Sequence, residues 1–105
     1  ATLPEGYLLY VKKGILAERV RVAVATSARW ADYVFDDDYN LMPLKEVEEF
    51  IQENDHLPNV PSADEITETG IDMAEMAAKQ MEKIEELTLY LIEANKRIEK
   101  LEKEH

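Results

Sequence analysis

From Ile71 to His105 the sequence holds neither proline nor glycine, so nothing in it interrupts a helix for the last third of the chain. Within that span apolar residues recur in alternating steps of three and four, which is a heptad repeat. With Ile98 at position a, the a residues are Ala77, Ile84, Leu91 and Ile98, and the d residues are Met73, Gln80, Leu87, Ala94 and Leu101. A straight helix of 3.6 residues per turn would let a 3.5-residue stripe drift around its surface. A left-handed supercoil keeps the stripe facing a partner, so the spacing predicts a coiled coil from about Met73 to Leu101.

The flanking charges suit a parallel pairing, in which a g residue faces the e residue of the next heptad on the neighbouring helix. Arg97 at g would then meet Glu102 in an interface salt bridge. Glu75 with Lys79, Glu93 with Arg97 and Glu99 with Lys103 are acid-before-base pairs four apart, which support the helix itself by a few tenths of a kcal/mol each. Gln80 in an otherwise apolar seam favours register over stability. Met76, Met81, Leu89 and Ile92 add apolar surface outside a and d, so the first part of this helix must be covered on another side as well. Preceding segments folding back are the expected cover, leaving the last two heptads bare. The competing reading, a long amphipathic helix packed wholly on its own domain, calls for a wide stripe to the end. The stripe instead narrows to a/d after Ile92.

With 105 residues the chain has material for one modest unit and an appended element. A hydrophobic share of 46% beside a charged share of 33% fits long solvated helices better than a disordered tail. A net charge of -11 excludes nucleic acid and anionic membrane as natural partners, since both are bound by clustered Lys and Arg. No cysteine is present, which removes disulfides and thiolate metal sites. No apolar run approaches the roughly 20 residues of a membrane span. The start at Ala1, without Met or a signal-peptide pattern, reads as the C-terminal end of a longer protein.

Upstream, three regions are expected. Residues 1–29 read as a β-ribbon or the end of a fibre shaft: Tyr7 to Val11 and Ile15 to Val24 flank a turn at Gly14, and Val20, Val22 and Val24 alternate with Arg19, Arg21 and Ala23. Residues 30–70 read as an aromatic plug, a short helix and a proline-rich connector. The core of the plug would be Trp30, Tyr33 and Phe35 with Leu44, Val47, Phe50 and Ile51 from an amphipathic helix over Pro43 to Glu53. Pro58 and Pro61 hold the connector extended. Ser62 to Glu65 match a capping box that starts a short helical turn ending at Gly70, and Asp72 to Glu75 match a second box opening the helix of residues 71–105.

The run Trp30 to Phe35, then Tyr39 to Leu44, Glu46 to Ile51 and above all His56-Leu57-Pro58-Asn59-Val60-Pro61-Ser62-Ala63 resembles the C-terminal module of tail-fibre-like and other surface proteins of Bacteroidetes. The approach over Gly14 to Val22 is similar to the last shaft strand before it. The resemblance covers nearly the whole chain. It implies a module that closes a fibrous protein at a cell surface or on a virion, outside the cell, and that is trimeric. More distantly the chain looks like the intramolecular chaperones that end phage tail spikes, although their Ser-Asp start and downstream Arg-Leu-Lys are absent here.

No constellation of residues points to catalysis, cofactor or metal. Asp36-Asp37-Asp38 lacks the ligand spacing of a calcium loop, and His56 and His105 lack zinc-ligand spacing. Ser27 and Ser62 have no His nearby in sequence, and Ser62 already has a capping role. The expected fold is therefore α+β: an N-terminal β-ribbon, intertwined between chains or not, a short amphipathic helix and a long parallel coiled-coil helix. The expected partner is the chain itself, as a parallel homotrimer with a dimer as runner-up, because strands from three chains could close a small β-prism. Self-cleavage after assembly and a ligand-binding fibre tip, taking an unknown surface ligand or glycan, are the alternatives.

Overall fold

The computed structural model describes residues 5–23 and 30–104. Its elements, in order, are a 3-10 turn over Tyr33–Phe35 and three α-helices: α1 (Leu44–Asn54), α2 (Ala63–Thr69) and α3 (Met73–Lys103). The last of these runs for 31 residues, about 46 Å at 1.5 Å per residue, in a molecule whose longest extent is 63 Å. Among the described residues no helix is long and apolar enough to cross a membrane.

Helices α2 and α3 start where the sequence supplies a side-chain partner for a free N–H group, and α1 starts at a proline. Pro43 sits before α1 with φ -57, preset for a helix. Ser62 and Glu65 form the complete capping box of α2, and Gly70, at φ 76, ends it. The Asp72 carboxylate accepts from the Glu75 N–H at 3.0 Å to open α3. Between α1 and α2, Val60 N–H donates to Leu57 O at 3.2 Å, closing a turn with Pro58 and Asn59 at its centre. Asn59 has φ 63, the sign that a type II turn demands at its third position, and Asn tolerates it better than most residues.

The α+β expectation is overturned. Among the described residues there is no strand, and residues 5–23 lie exposed with no ladder to pair with. Leu8 and Leu16 are fully open to solvent, and the alternating Val20 and Val22 are exposed as well. The alternation was present but a period of two encodes a strand only where a sheet or a core receives it, and a two-stranded ribbon alone is marginal in water. The remainder of the expected ribbon, residues 1–4 and 24–29 with Val24 and Ser27, lies outside the described residues.

The core is small and sits where the loop of residues 30–42 folds back on α3. Ala31, Val34 and Ala78 are its buried apolar members, with Val34 only 2% exposed. Trp30, Phe35, Leu44 and Ile51, expected in the plug core, are exposed, while Tyr33, Val47 and Phe50 are half-buried. The backbone explains this shift of register. Asp32, at φ 96, breaks the backbone between Ala31 and the 3-10 turn, and the buried residues are Ala31 ahead of that break and Val34 within the turn, with Trp30 and Phe35 left exposed. Helix α1 approaches α3 at its N-terminal end, so its apolar side is covered incompletely. Phe50 meets the ring of His56 edge-on at 5.4 Å, and that ring donates from Nδ1 to Leu57 O at 2.9 Å.

Candidate oligomerisation face

Two stripes run along α3 on opposite sides. The seam of a and d residues is one. The other is Ala78, Glu82, Glu85 and Leu89, spaced four, three and four apart, and centred about 150° away at 100° per residue. The loop that folds back sits on this second stripe, and polar contacts hold it there.

Glu82 is the centre of that attachment, with only 4% of its surface exposed. Its Oε1 accepts from the Tyr33 hydroxyl at 2.5 Å, and its two oxygens accept from Asn59 Nδ2 at 3.2 and 3.0 Å. Lys83 Nζ lies 3.4 Å from Oε2. One carboxylate therefore ties the 3-10 turn and the Pro58-Asn59 turn to the same point of the helix. One turn on, Glu85 Oε1 accepts the Asp32 N–H at 2.8 Å, which secures a residue held in the left-handed region at φ 96. Glu86 accepts from the Tyr39 hydroxyl at 2.5 Å and from Lys83 at 2.8 Å. Farther along, the Tyr90 hydroxyl donates to Met42 O at 2.5 Å and fixes the segment leading into α1.

The electrostatics follow from this geometry. Burial raises the Tyr33 hydroxyl, and the hydrogen bond to Glu82 with the charges of Glu82, Glu85 and Glu86 raises it further, to about 12. Burial and then Glu86 push Tyr39 higher still, and the same two causes raise Tyr90. For Glu82 burial favours the neutral acid, but donation from Tyr33 and Asn59 and the nearby Lys83 outweigh it, so its carboxyl lies below the ordinary value. At neutral pH the phenols are thus fixed as donors and Glu82 as an ionised acceptor. Among the described residues no buried side-chain polar atom lacks a hydrogen-bond partner.

The other face is bare. Met73, Ala77, Gln80, Ile84, Leu87, Leu91, Ala94, Ile98 and Leu101 are all exposed, Ile84 at 53% and Leu91 at 70%. Arg97, expected to reach Glu102 of a neighbour, bonds within its own helix to Glu93 at 3.2 Å. Glu75 pairs with Lys79 at 3.4 Å as the spacing predicts. Asp36, Asp37 and Asp38 are exposed in the turn after the 3-10 segment.

Sequence reasoning missed Glu82, Glu85 and Glu86, the acids that hold the cap, along with Asn59, Tyr39 and Tyr90. A signal was available: tyrosine hydroxyls need acceptors once buried, and the surplus apolar residues of α3 announced a cover. Comparison with known protein families, with curated proteins and with solved structures returned no match. The surface itself then defines the class: a helix with one face latched to its own chain and an apolar heptad face left open.

Proposed function

We propose that the chain is a C-terminal oligomerisation module, with no catalysis of its own, that assembles through α3 as a parallel homotrimer and so registers and terminates a fibrous surface or phage-tail-like protein. One observation carries this reading. All nine a and d residues are exposed in the single chain, while the opposite face of the same helix is occupied by the chain's own cap. An apolar stripe with a 3.5-residue period and no mate among the described residues is satisfied by copies of itself. Three chains fit better than two because an exposed apolar residue, Ile92 at position b, lies beyond the e flank of the seam, and a helix with two neighbours covers more of its flanks than a helix with one. The fibre, and with it an extracellular, cell-surface or virion setting, rests on the resemblance carried by Trp30 to Ala63. Association of the helices would bring three chains together in register before the upstream segments order.

Sedimentation equilibrium at micromolar concentration tests the assembly. The expected mass is about 36 kDa, three chains of 12.1 kDa; a dimer would correct the stoichiometry, and a monomer would refute the reading. Ile84→Asp with Leu91→Asp should give a monomer, since each copy loses two side chains whose burial is worth about 1.5–3 kcal/mol apiece. Trp30 fluorescence should stay unchanged, because the cap sits on the other side.

A further inference from the structure

Where residues 41–45 cross α3, they leave an open cleft of about 490 Å³ between Leu41, Met42, Pro43 and Leu44 on one wall and Tyr90, Ala94 and Arg97 on the other. The Tyr90 hydroxyl bond to Met42 O fixes its floor. Leu44 stands exposed on its lip. In the heptad register Ala94 is a d residue and Tyr90 and Arg97 are g residues, so the cleft opens directly off the seam, along the g flank. On the opposite flank, Ile92 occupies position b between Thr88 and Asn95 at e, and is 46% exposed. Among the described residues it is the one large apolar side chain of α3 that is exposed outside a and d.

We infer that the interface extends past the seam, with Ile92 of one copy seated in the cleft between residues 41–45 and α3 of the next. This rests on the parallel assembly proposed above. In a parallel coiled coil the g flank of each helix faces the e flank of its neighbour, and b lies just outside e. Helices in register stand at equal height, which sets Ile92 of one copy level with the cleft lined by Tyr90 to Arg97 of the next. Charge agrees as well: in a chain of net charge -11 the cleft is lined by Lys45 and by Arg97 paired with Glu93, a net positive lining, and the neighbour's flank beyond Ile92 presents Glu99 and Glu102. The two halves of the contact differ, cleft on one flank and knob on the other, so each copy gives one and receives one around the axis and a closed ring satisfies all of them.

Because the chain has no cysteine, introduced thiols report without background. Leu44→Cys and Ile92→Cys chains, co-refolded in equal amounts and mildly oxidised, should form a disulfide joining the two kinds of chain, while neither variant alone crosslinks. The Cα atoms must come within about 7 Å for this to occur. Leu91→Cys alone, at the seam, is the control and should crosslink to itself. If Leu91→Cys links and the mixture does not, the interface ends at the seam: the inference is overturned and the coiled coil stands. If neither links and sedimentation of the reduced chains gives a monomer, both readings fall; an oligomer without the Leu91→Cys link is not parallel, and overturns the inference as well. Independently, Ile92→Asp should weaken association at least tenfold and Ile92→Leu should not; equal affinities would also count against the cleft.

Discussion

Replacing Glu82 with alanine removes the acceptor of the Tyr33 hydroxyl and of Asn59, and the partner of Lys83, in one step. Hydrogen bonds to a charged group contribute about 1.5–3 kcal/mol each. Tyr33 is half-buried and Asn59 exposed, so water would recover part of the loss, and about 3 kcal/mol for the pair is the expected net effect. The apolar anchors are few by comparison. Val34 is the large buried one, and burying such a side chain is worth about 1.5–3 kcal/mol. Losing Glu82 therefore matches losing the main hydrophobic contact. It should raise the open population of the cap about a hundredfold. Native-state hydrogen exchange measures this directly: the amides of Asp32 and Phe35, which donate to Glu85 and to Asp32 O, should exchange about a hundredfold faster, while those in the last ten residues of α3 stay unchanged. Glu82→Gln, which keeps an acceptor but loses the charge, should fall between. Unaltered exchange at Asp32 and Phe35 in Glu82→Ala would show that apolar contact alone holds the cap and that the carboxylate is a bystander.

Asn59 does two things, and two substitutions separate them. Asn59→Gly keeps the positive φ and loses the bonds to Glu82, whereas Asn59→Ala also strains the turn, so the alanine variant should be less stable by a further ~1 kcal/mol in thermal unfolding. At the alkaline end, the raised pKa of Tyr33 means that its contribution is complete below its ordinary 10.0 and disappears as the pH rises through about 12. Near-UV circular dichroism should show the cap loosening in that window, and Tyr33→Phe should remove one tyrosine's share of the late tyrosinate absorbance, the rest coming from Tyr39 and Tyr90. At the acid end, Glu82 titrates below the ordinary 4.5, so its contribution is present above that pH and fades as the pH falls through the lowered value. Trp30 emission of the wild type should therefore hold down to about pH 4.5 and change below it, and the Glu82→Gln chain should lack that component.

The parts legible in the sequence are those that local chemistry decides. Ser62 and Glu65 cap α2, Gly70 ends it, Asp72 opens α3, and the absence of proline and glycine lets α3 run on to Lys103. The surplus of Met81 and Leu89 on α3 required a cover, and the aromatic loop provides it. What could not be read depends on which surfaces meet. The alternation of Val20 and Val22 looked like a strand because a period of two is visible in one chain, but the pairing that realises it is not. Trp30 and Phe35 looked like core because of their size, while the left-handed Asp32 and the 3-10 turn after it leave Ala31 and Val34 inside instead. Glu82 and Glu85 passed for a solvated face, as most glutamates on a helix do, until the hydroxyls and amides opposite them were placed.

The latch at Glu82, Glu85 and Glu86 and the apolar seam lie on opposite sides of α3, and come near each other farther along, where Ala94 of the seam lines the cleft beside residues 41–45. Heating should then undo the molecule in two steps rather than one. The first, release of the loop from Glu82, Glu85 and Glu86, is an event within one chain and its midpoint should not shift on dilution. The second, parting and unwinding of the helices, involves several chains and should move to lower temperature as the protein is diluted. A calorimetric trace with one peak that moves as a whole would mean the two sides of the helix answer to each other after all.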